Sequence, residues 1–405
     1  MDAPAPASPP QTPGSQGLIQ RLCEPAAAFG EAHVGLPHVL LILDQFPRAL
    51  GGGERVILRI ASLLPKYGYQ VSILTFFVDA ESAVLTAPPP CPIYLLPLRR
   101  TYDLEALRAA LSLRRFLREQ KIQIVQTFFE SSDLWAGLVV KTLSRTKLIW
   151  SRRDMGILRG LKHQVAYRLL ANVPDMVFAV SEQVRRHCIE VDRIGADRVL
   201  TIYNGLDIAE DLQPPLPPKP TGHFRITTVG NIRRVKGHDL FIRAAAAVLQ
   251  RFAHASFSIA GEVLEPDYFD ELQGLVEELG LSERFHFAGG VANPREHLLS
   301  ADLFVLPSRS EGFSNAIIEA MAASLPVVAT DVGGNAEAVQ HGRTGFITPP
   351  EDPGALADAM IRLLEDPVAA RRMGAAGKQL TAERFTTNAM MSSIKAIYED
   401  LLGRD

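Results

Sequence analysis

The sequence predicts an α/β fold built from two domains, each with a doubly wound parallel sheet. Three observations support this prediction. Short apolar runs alternate with longer amphipathic segments, which is typical of parallel strands covered by helices on both faces. The chain has 405 residues, more than one ordinary core contains. A proline-rich segment at 213–221 divides the chain, because proline is incompatible with helix interiors and central strands.

The predicted strands are the short apolar runs. In the first half they are 38–44, 70–76, 122–128, 147–151, 176–180 and 199–203. In the second half they are 224–229, 256–260, 285–288, 302–306 and 327–330. Helical patterns fall between them at 54–67, 104–120, 238–251 and 268–279. Open α/β sheets bind ligands at the carboxyl ends of their strands. We therefore predict two Rossmann-like domains that face each other across a cleft.

The two ends of the chain complete the predicted organisation. The first thirty residues are rich in Pro, Ala, Ser and Gln and have no apolar segment, which predicts a disordered tail and no signal peptide. Residues 388–402 place apolar side chains on one helical face, which needs an apolar surface to cover. The predicted order is a tail at 1–33, a first domain at 34–212, a linker at 213–221, a second domain at 222–385 and a helix at 386–405 that packs back on the first domain.

The composition is that of a soluble globular protein. Hydrophobic residues make up 47% and charged residues 21%, and the longest apolar runs are too short to span a bilayer. The three cysteines, Cys23, Cys91 and Cys188, form neither a metal-binding spacing nor a disulfide framework, which favours a reducing compartment. A net charge of −3 gives no reason to expect nucleic acid. We therefore expect a cytoplasmic protein.

A glycine-rich loop follows the first predicted strand. Gly51, Gly52 and Gly53 permit close approach of the backbone to a ligand, and the helix that begins near Glu54 points its N-terminus at whatever the loop holds. A phosphate contact and a plain strand-to-helix turn both explain these glycines. A P-loop or a simple dinucleotide site is not indicated, because neither the Walker lysine nor the G-x-G-x-x-G spacing follows.

A cationic loop occupies the equivalent place in the second half. Gly230 is followed by Arg233, Arg234 and Lys236 before the next helical pattern. Cations beside a helix N-terminus can neutralise a diphosphate. A lysine does so as a compact charge, and an arginine donates two parallel hydrogen bonds from its guanidinium group. A solvated basic loop is the alternative explanation.

Two carboxylates eight positions apart flank a third loop. Glu311 precedes the helix start, and Glu319 lies on the helix among apolar neighbours. A carboxylate on a buried helix face must be paired or hydrogen-bonded, and sugar hydroxyls supply such bonds. The small residues between the acids open a helix whose first amides bind anions. They are Gly312, Phe313, Ser314 and Asn315. An anion site beside acceptors for hydroxyls suits a diphosphate joined to a polyol, which is a nucleotide sugar.

These segments, in this order, resemble the retaining glycosyltransferases of the GT-B fold, family 4 (glycosyl transferases group 1). The resemblance covers roughly residues 37–385, and its most specific part is the Glu-x7-Glu segment with its flanks. The matching segments begin at Gly51, Val180, Asn204, Gly230, Gly261, Glu311 and Pro326.

The resemblance implies roles for the matching residues. Glu319 holds the ribose hydroxyls of the donor, and Glu311 binds hydroxyls of the transferred sugar. Glu311 and Lys236 are the catalytic candidates, with Arg233 and Arg234 as further cations. The remaining donor-binding candidates are Gly52, Gly53, Val291, Gly312, Phe313, Ser314 and Asn315.

The resemblance also implies a donor that is a uridine, guanosine or adenosine diphosphate sugar, and no divalent metal. The sequence contains no Asp-x-Asp element of the metal-dependent transferases. The charge that a metal would offset is then carried by Lys236, an arginine of the same loop and helix dipoles.

Two positions depart from the family pattern. Asn231 stands where the family usually has arginine, so Arg233 or Arg234 is expected to substitute. Phe128 stands where the family commonly has a histidine near the transferred sugar, and phenylalanine cannot carry a proton. Retention in the family is pictured as attack on the same face of the sugar, with the leaving phosphate taking the proton, so this change need not abolish transfer. The candidates for acceptor contact are Glu130, Asp133, Arg153 and Asp154.

The acceptor is expected in the first domain, whose charge suggests an anionic partner. Residues 1–210 contain more Lys and Arg than Asp and Glu, and the rest of the chain the reverse. Segments 107–121 and 157–171 read as basic amphipathic helices, which bind anionic lipid with about 1 kcal/mol per nearby cation. Solvated helix faces are the alternative. We expect a lipid-linked or polyanionic glycan acceptor at the inner face of the cytoplasmic membrane.

The leading functional hypothesis is a retaining, metal-independent hexosyltransferase of glycan or polysaccharide biosynthesis, acting on a saccharide or lipid-linked acceptor. A nucleotide-sugar epimerase of the same architecture is a second hypothesis, which product analysis with donor alone would distinguish. A non-catalytic protein that binds nucleotide sugar is the third, and Phe128 and Asn231 keep it open.

Overall fold

A computed structural model describes residues 18–23, 35–86, 88–98, 100–156, 160–207, 223–291 and 294–403. Within these residues the chain forms two sheets flanked by helices, which confirms the predicted two Rossmann-like units. The linker at 213–221 and most of the tail at 1–33 lie outside the described residues.

The first sheet runs in the order β1-β4-β3-β2-β5-β6-β7-β8, and every described pairing except β1 with β4 is parallel. Its strands are β1 Gln20–Cys23, β2 His38–Phe46, β3 Gln70–Val78, β4 Ile93–Leu95, β5 Ile122–Phe128, β6 Lys147–Arg152, β7 Met176–Ala179 and β8 Val199–Thr201. The associated helices are α1 Gly52–Leu63, α2 Ala83–Thr86, α3 Leu104–Glu119, α4 Gly137–Leu143, α5 Leu161–Leu169 and α6 Glu182–Glu190.

Two apolar cores sandwich the first sheet. Helices α3, α4, α5 and α6 bury their apolar sides on one face. Helix α1 covers the other face together with a helix from the end of the chain. The strands are therefore buried on both sides, which is why they appear in the sequence as continuous apolar runs.

The second sheet is parallel throughout its described pairings, in the order β11-β10-β9-β12-β13-β14. Its strands are β9 Arg225–Val229, β10 Ser256–Ala260, β11 Phe285–Gly289, β12 Leu303–Leu306, β13 Val327–Thr330 and β14 Gly345–Thr348. The helices are α7 His238–Arg251, α8 Pro266–Glu278, α9 Pro294–Leu299, α10 Asn315–Ala322, α11 Asn335–Ala338, α12 Pro353–Glu365, α13 Pro367–Arg384 and α14 Thr387–Gly403.

Helix α14 leaves the second sheet and packs on the first. Its residues Met391, Ile394, Tyr398 and Leu401 are buried in the core that contains α1. The hydroxyl of Tyr398 donates a hydrogen bond to the amide oxygen of Gln126 on β5. This helix therefore links the second half of the chain to the sheet of the first half.

Three strands were absent from the sequence prediction. Residues Gln20–Cys23, which we assigned to the disordered tail, form an edge strand antiparallel to β4, so the prediction was wrong for these four residues. Strand β4 has only three residues, and β14 reads Gly-Phe-Ile-Thr, in which two apolar residues are too few for a recognisable apolar run. In each case the partner strand, rather than the local sequence, determines the conformation.

Candidate functional site

The carboxyl ends of the two sheets meet at a narrow interface where glycine is required. A Cβ atom on Gly312 would lie 2.0 Å from the carbonyl oxygen of Arg153, which follows β6. A Cβ on Gly52, the first residue of α1, would lie 3.5 Å from Nδ2 of Asn315, the first residue of α10. The N-termini of α1 and α10 therefore face the same space from opposite halves of the molecule.

The two predicted catalytic residues are in direct contact. Nζ of Lys236 lies 2.6 Å from Oε1 of Glu311, and the hydroxyl of Ser308 donates to the same oxygen at 2.7 Å. Ser308 is held in turn through its carbonyl oxygen, which accepts a hydrogen bond from the hydroxyl of Thr330. The side chain of Glu311 is 9% exposed and that of Lys236 is 27% exposed. The pair is thus largely shielded from solvent and set before any ligand arrives.

This pair lies beside the start of α10. Ser314 precedes the helix and its side chain does not cap it, so the first amides are positioned to bind an anion. Phe313 and Ser314 are buried, with the Phe313 ring packed on Tyr203 of the other half, while Asn315 is half-buried. A lysine next to a helix N-terminus gives a compact positive region suited to a diphosphate.

Glu319 lies on the next turn of α10 and borders a cavity of about 280 Å³. The lining comes from α1, from the loop after β8, from α9 and α10, and from α13. It includes Arg55, Arg59, Gly205, Asp207, Arg295, Asn315, Glu319 and Lys378. Burial raises the pKa of Glu319, and the charges of Arg55 and Arg59 partly offset this effect. The carboxylate therefore lacks full solvation and would gain from hydrogen-bond donors on a ligand.

Several polar contacts hold the two halves together, and sequence reasoning did not predict them. The carboxylate of Glu337 on α11 accepts hydrogen bonds from the amides of Glu182 and Gln183, at 2.8 and 2.9 Å, and from the hydroxyl of Tyr203 at 3.0 Å. It caps the N-terminus of α6, where a negative charge is favourable. No signal in the sequence pairs Glu337 with α6, because the two are more than 150 positions apart.

A second bridge runs through Asn204. Its Nδ2 donates to Oδ1 of Asn315 at 2.7 Å, and its Oδ1 accepts from Nη2 of Arg153 at 2.9 Å. Burial lowers the pKa of Arg153 to about 10, with Glu54 acting in the opposite direction, so the guanidinium stays charged at neutral pH. Arg153, predicted on the acceptor side, therefore contributes to the contact between the halves. Asn204 belongs to one of the recognised sequence segments, but its partner could not be inferred.

The structure does not bring Arg233 and Arg234 to the Lys236–Glu311 pair. Nη2 of Arg234 lies 2.7 Å from Oε1 of Glu271, and its guanidinium stacks over the ring of Tyr268. Nε of Arg233 lies 3.6 Å from Oε1 of Glu265. Acidic residues at the start of α8 thus attract both arginines. The expectation that one of them replaces the family arginine at Asn231 stays a prediction, which requires that arginine to leave its acidic partner when a ligand binds.

The four acceptor candidates separate into different environments. Asp133 is 1% exposed and accepts hydrogen bonds from the hydroxyls of Thr127 and Tyr167, at 2.6 and 3.0 Å. It is part of the core and cannot contact an acceptor, so its assignment was wrong. Glu130 lies 3.5 Å from Nδ1 of His163. Asp154 accepts from the amide of Gly156 and is exposed. Glu130 and Asp154 remain predictions.

Phe128 is fully buried in the core beneath α1 and α14. The next residue, Phe129, has a φ of +85° and points its ring at the glycine loop, where a Cβ on Gly53 would lie 2.9 Å from Cζ. An aromatic ring therefore occupies the floor of this loop.

Val291 follows β11 and stays a prediction. It lies just before α9, whose Pro294 and Arg295 line the cavity. The neighbouring Gly290 packs on the side chain of Glu262 so tightly that a Cβ there would overlap the carboxylate. Residues 292 and 293 lie outside the described part of the chain.

Known families match most of the chain. Residues 50–210 match Glycosyltransferase Family 4, and residues 211–380 match Glycosyl transferases group 1. A phosphatidyl-myo-inositol mannosyltransferase of Mycobacterium leprae is 27% identical over 86% of this chain and 93% of its own length. A lipopolysaccharide core biosynthesis mannosyltransferase of Rhizobium leguminosarum is 33% identical over 45% of this chain and 52% of its own. For this relative and others like it, the chain spans about half the length of the protein it matches.

Solved structures share the whole fold. HepE of Anabaena in complex with UDP and glucose superposes with a TM-score of 0.75 at 22% identity, covering 89% of this chain and 99% of that one. Sucrose-phosphate synthase of Thermosynechococcus elongatus superposes with a TM-score of 0.77 at 21% identity, covering 91% and 100%. Two parallel Rossmann-like sheets, their sequence matches and these neighbours lead to one conclusion: the chain belongs to glycosyltransferase family 4, whose members are retaining enzymes of the GT-B fold.

Proposed function

We propose that this protein transfers a hexosyl group, with retention, from a nucleotide diphosphate sugar to a saccharide or lipid-linked acceptor in glycan biosynthesis. The observation that carries the proposal is the Lys236–Glu311 pair, 2.6 Å apart, at the N-terminus of α10 and opposite the glycine loop that opens α1. A positive charge and a helix start suit a diphosphate, while the neighbouring carboxylate suits sugar hydroxyls.

In this proposal, the donor lies along the cleft with its ribose, diphosphate and hexose each next to a different part of the site. Glu319 accepts hydrogen bonds from the ribose hydroxyls at the cavity of about 280 Å³. One turn earlier, the start of α10 and Lys236 bind the diphosphate. Glu311 then accepts hydrogen bonds from hydroxyls of the transferred hexose. The relatives named above include mannosyltransferases, and HepE was solved with UDP and glucose, so a mannosyl or glucosyl donor is the first to test.

The chemistry requires charge stabilisation more than proton transfer by a side chain. As the anomeric carbon–oxygen bond breaks, negative charge develops on the leaving diphosphate, next to Lys236 and the positive end of α10. The acceptor hydroxyl attacks the same face of the sugar, and its proton passes to the leaving phosphate oxygen. The fully buried Phe128 has no part in this step. Because the lysine and the helix supply the compensating charge, the reaction proceeds without a divalent metal.

The outer surface of the first half supports an acceptor at an anionic membrane. Leu104, Leu161 and Leu169 are 75%, 76% and 78% exposed, which is unusual for leucine on regular helices. The exposed apolar side chains of the layer formed by α3, α4 and α5 are Leu104, Leu107, Leu111, Leu138, Leu161, Val165 and Leu169. We call this set the leucine surface.

Basic residues flank the leucine surface. Helix α3 carries Arg108, Arg114, Arg115 and Arg118, and α5 carries Lys162, His163 and Arg168 without any acidic residue. Apolar side chains beside cations are the features that let a helix lie in the headgroup region of anionic lipid. Among the described helices, none combines the length and apolar character needed to cross a bilayer. Contact with the membrane is therefore proposed as peripheral.

A direct test of the proposed function uses the purified chain, the UDP-, GDP- and ADP-sugars of glucose and mannose, and a saccharide acceptor library. We expect one donor to raise the melting temperature and to be consumed only when an acceptor is present. At 100 times its dissociation constant it should stabilise the fold by about 2.7 kcal/mol. Failure of all six donors to bind would overturn the proposal. Conversion of a donor without acceptor would favour the epimerase instead.

A further inference from the structure

A nucleotide diphosphate sugar carries two negative charges on its phosphates. Among the described residues of the second half, Lys236 is the cation beside Glu311 at the start of α10, while Arg295 and Lys378 line the cavity near Glu319. Asn231 replaces the family arginine, and Arg233 and Arg234 contact acids at the start of α8. Lys236 is already hydrogen-bonded to Glu311 at 2.6 Å. A bound diphosphate would therefore gain from a further positive charge on another element, in addition to Lys236 and the start of α10.

The opposite wall offers such a charge. Arg55 is the fourth residue of α1, directly after the glycines, and its exposed side chain borders the cavity that also contains Asn315 and Glu319. Within the described part of the chain, Arg55 makes no hydrogen bond or ion pair through its side chain. Arg59, one helical turn later, already has a partner, because its Nη1 donates a hydrogen bond to the carbonyl oxygen of Gly205 at 2.9 Å.

The position of Arg55 along the cleft indicates which phosphate it reaches. Lys236 lies with Glu311 at the end of the site that would hold the sugar. Arg55 lies with Glu319 at the end that would hold the ribose, and its charge acts on that carboxylate. Because Arg55 lies at the ribose end, the phosphate within its reach is the one bonded to the nucleoside.

We propose that Arg55 binds the nucleoside-side phosphate of the donor, while Lys236 binds the sugar-side phosphate. The inference rests on the proposed function, because it assumes a nucleotide diphosphate in this cleft. It makes the first half of the molecule a contributor of charge as well as of glycine backbone. Donor binding then draws the two halves together through Arg55 and α10.

The experiment compares nucleosides, 5′-monophosphates and 5′-diphosphates of uridine, guanosine and adenosine by calorimetry on four proteins. These are wild type, Arg55→Ala, Arg55→Lys and Arg251→Ala, the last an exposed arginine paired with Glu365 at the end of α7. We expect Arg55→Ala to weaken the monophosphate and the diphosphate of the preferred base by the same factor, about tenfold or more. The nucleoside should bind unchanged, Arg55→Lys should recover part of the loss, and Arg251→Ala should behave as wild type.

The outcomes separate this inference from the proposed function. If wild type binds none of the nine compounds, the proposed function fails and the inference with it. If wild type binds a diphosphate and Arg55→Ala binds it equally well, only the inference is overturned. Equal weakening of nucleoside, monophosphate and diphosphate would also overturn it, because Arg55 would then act on the ribose or base. Without ligand, Arg55→Ala should melt only slightly below wild type, since Arg55 is exposed and its charge only partly offsets the burial of Glu319.

Discussion

At the scale of single residues, the site places charged groups where solvent cannot fully reach them. Glu319 illustrates the cost, because burial raises its pKa and the nearby arginines only partly compensate. A buried carboxylate without full solvation destabilises the folded chain unless a ligand supplies hydrogen bonds. The position of Glu319 therefore suits ligand binding better than it suits the stability of the chain without ligand.

Glu319→Gln should therefore stabilise the ligand-free protein while weakening donor binding. The folded-state pKa of Glu319 lies above its ordinary value of 4.5, so the folded chain loses stability as pH rises above that value. The variant lacks this titration, so its melting temperature should exceed that of wild type by an amount that grows as the pH rises above 4.5 and becomes constant above the raised pKa of Glu319. Thermal unfolding across this range measures it, with the exposed Glu383→Gln as control. A wild type that is equally stable at every pH contradicts the argument.

Lys236→Ala should reduce kcat by about 100-fold or more, because it removes a positive charge from the position where negative charge develops. Initial rates of sugar transfer at saturating donor measure this. Arg251→Ala, which removes an exposed cation outside the cleft, serves as the control. A variant of Lys236 with the kcat of wild type would refute the catalytic assignment.

At the scale of elements, the helix termini differ in whether a side chain caps them. The start of α10 is left uncapped by side chains, whereas the starts of α12 and α13 are capped by Asp352 and Asp366 through the amides of Ala355 and Ala369. The capped ends stabilise the fold. The uncapped end faces the cleft, where its amides are positioned for an anion.

The helices of the leucine surface lead to a prediction on membranes. Leu107→Asp with Leu111→Asp places two negative charges among the exposed leucines of α3, so binding to vesicles of phosphatidylglycerol should be lost. Vesicle flotation at low salt measures the bound fraction. Val368→Asp, at an exposed position of α13 in the second half, is the matched control and should bind as wild type. Wild type that fails to float with these vesicles would exclude the proposed surface.

At the scale of the whole molecule, the two halves are held together by polar contacts, by the packing of Tyr203 on Phe313 and Phe385, and by helix α14. Glu337 supplies the carboxylate that caps α6, and Gly312 permits the closest approach of the backbones. Interfaces between two domains of one chain commonly allow relative motion of the domains. We therefore expect single side chains in this contact, such as Glu337, to influence how closely the halves approach.

Glu337→Ala should shift the molecule toward an open arrangement. Removing a carboxylate that accepts two amide hydrogen bonds weakens the contact by about 1–3 kcal/mol. Small-angle scattering without ligand should show a larger radius of gyration, and saturating donor should restore the wild-type value. Glu337→Gln, which keeps one acceptor oxygen, should give an intermediate value. Unchanged scattering for Glu337→Ala would show that the remaining contacts and α14 hold the halves together without this carboxylate.

The sequence by itself determined the two parallel sheets, because strands buried on both faces must be continuously apolar and the intervening helices must be amphipathic. It also determined the glycine loop and the two glutamates, since their chemistry depends on residue type and local spacing. Only the tertiary structure decided which charged side chains pair with each other and which of them are buried. It joined Lys236 to Glu311, drew Arg234 to Glu271, buried Asp133 in the core and placed Arg55 at the cavity. Ion pairs and burial depend on neighbours that are distant in the chain, and no local pattern encodes them.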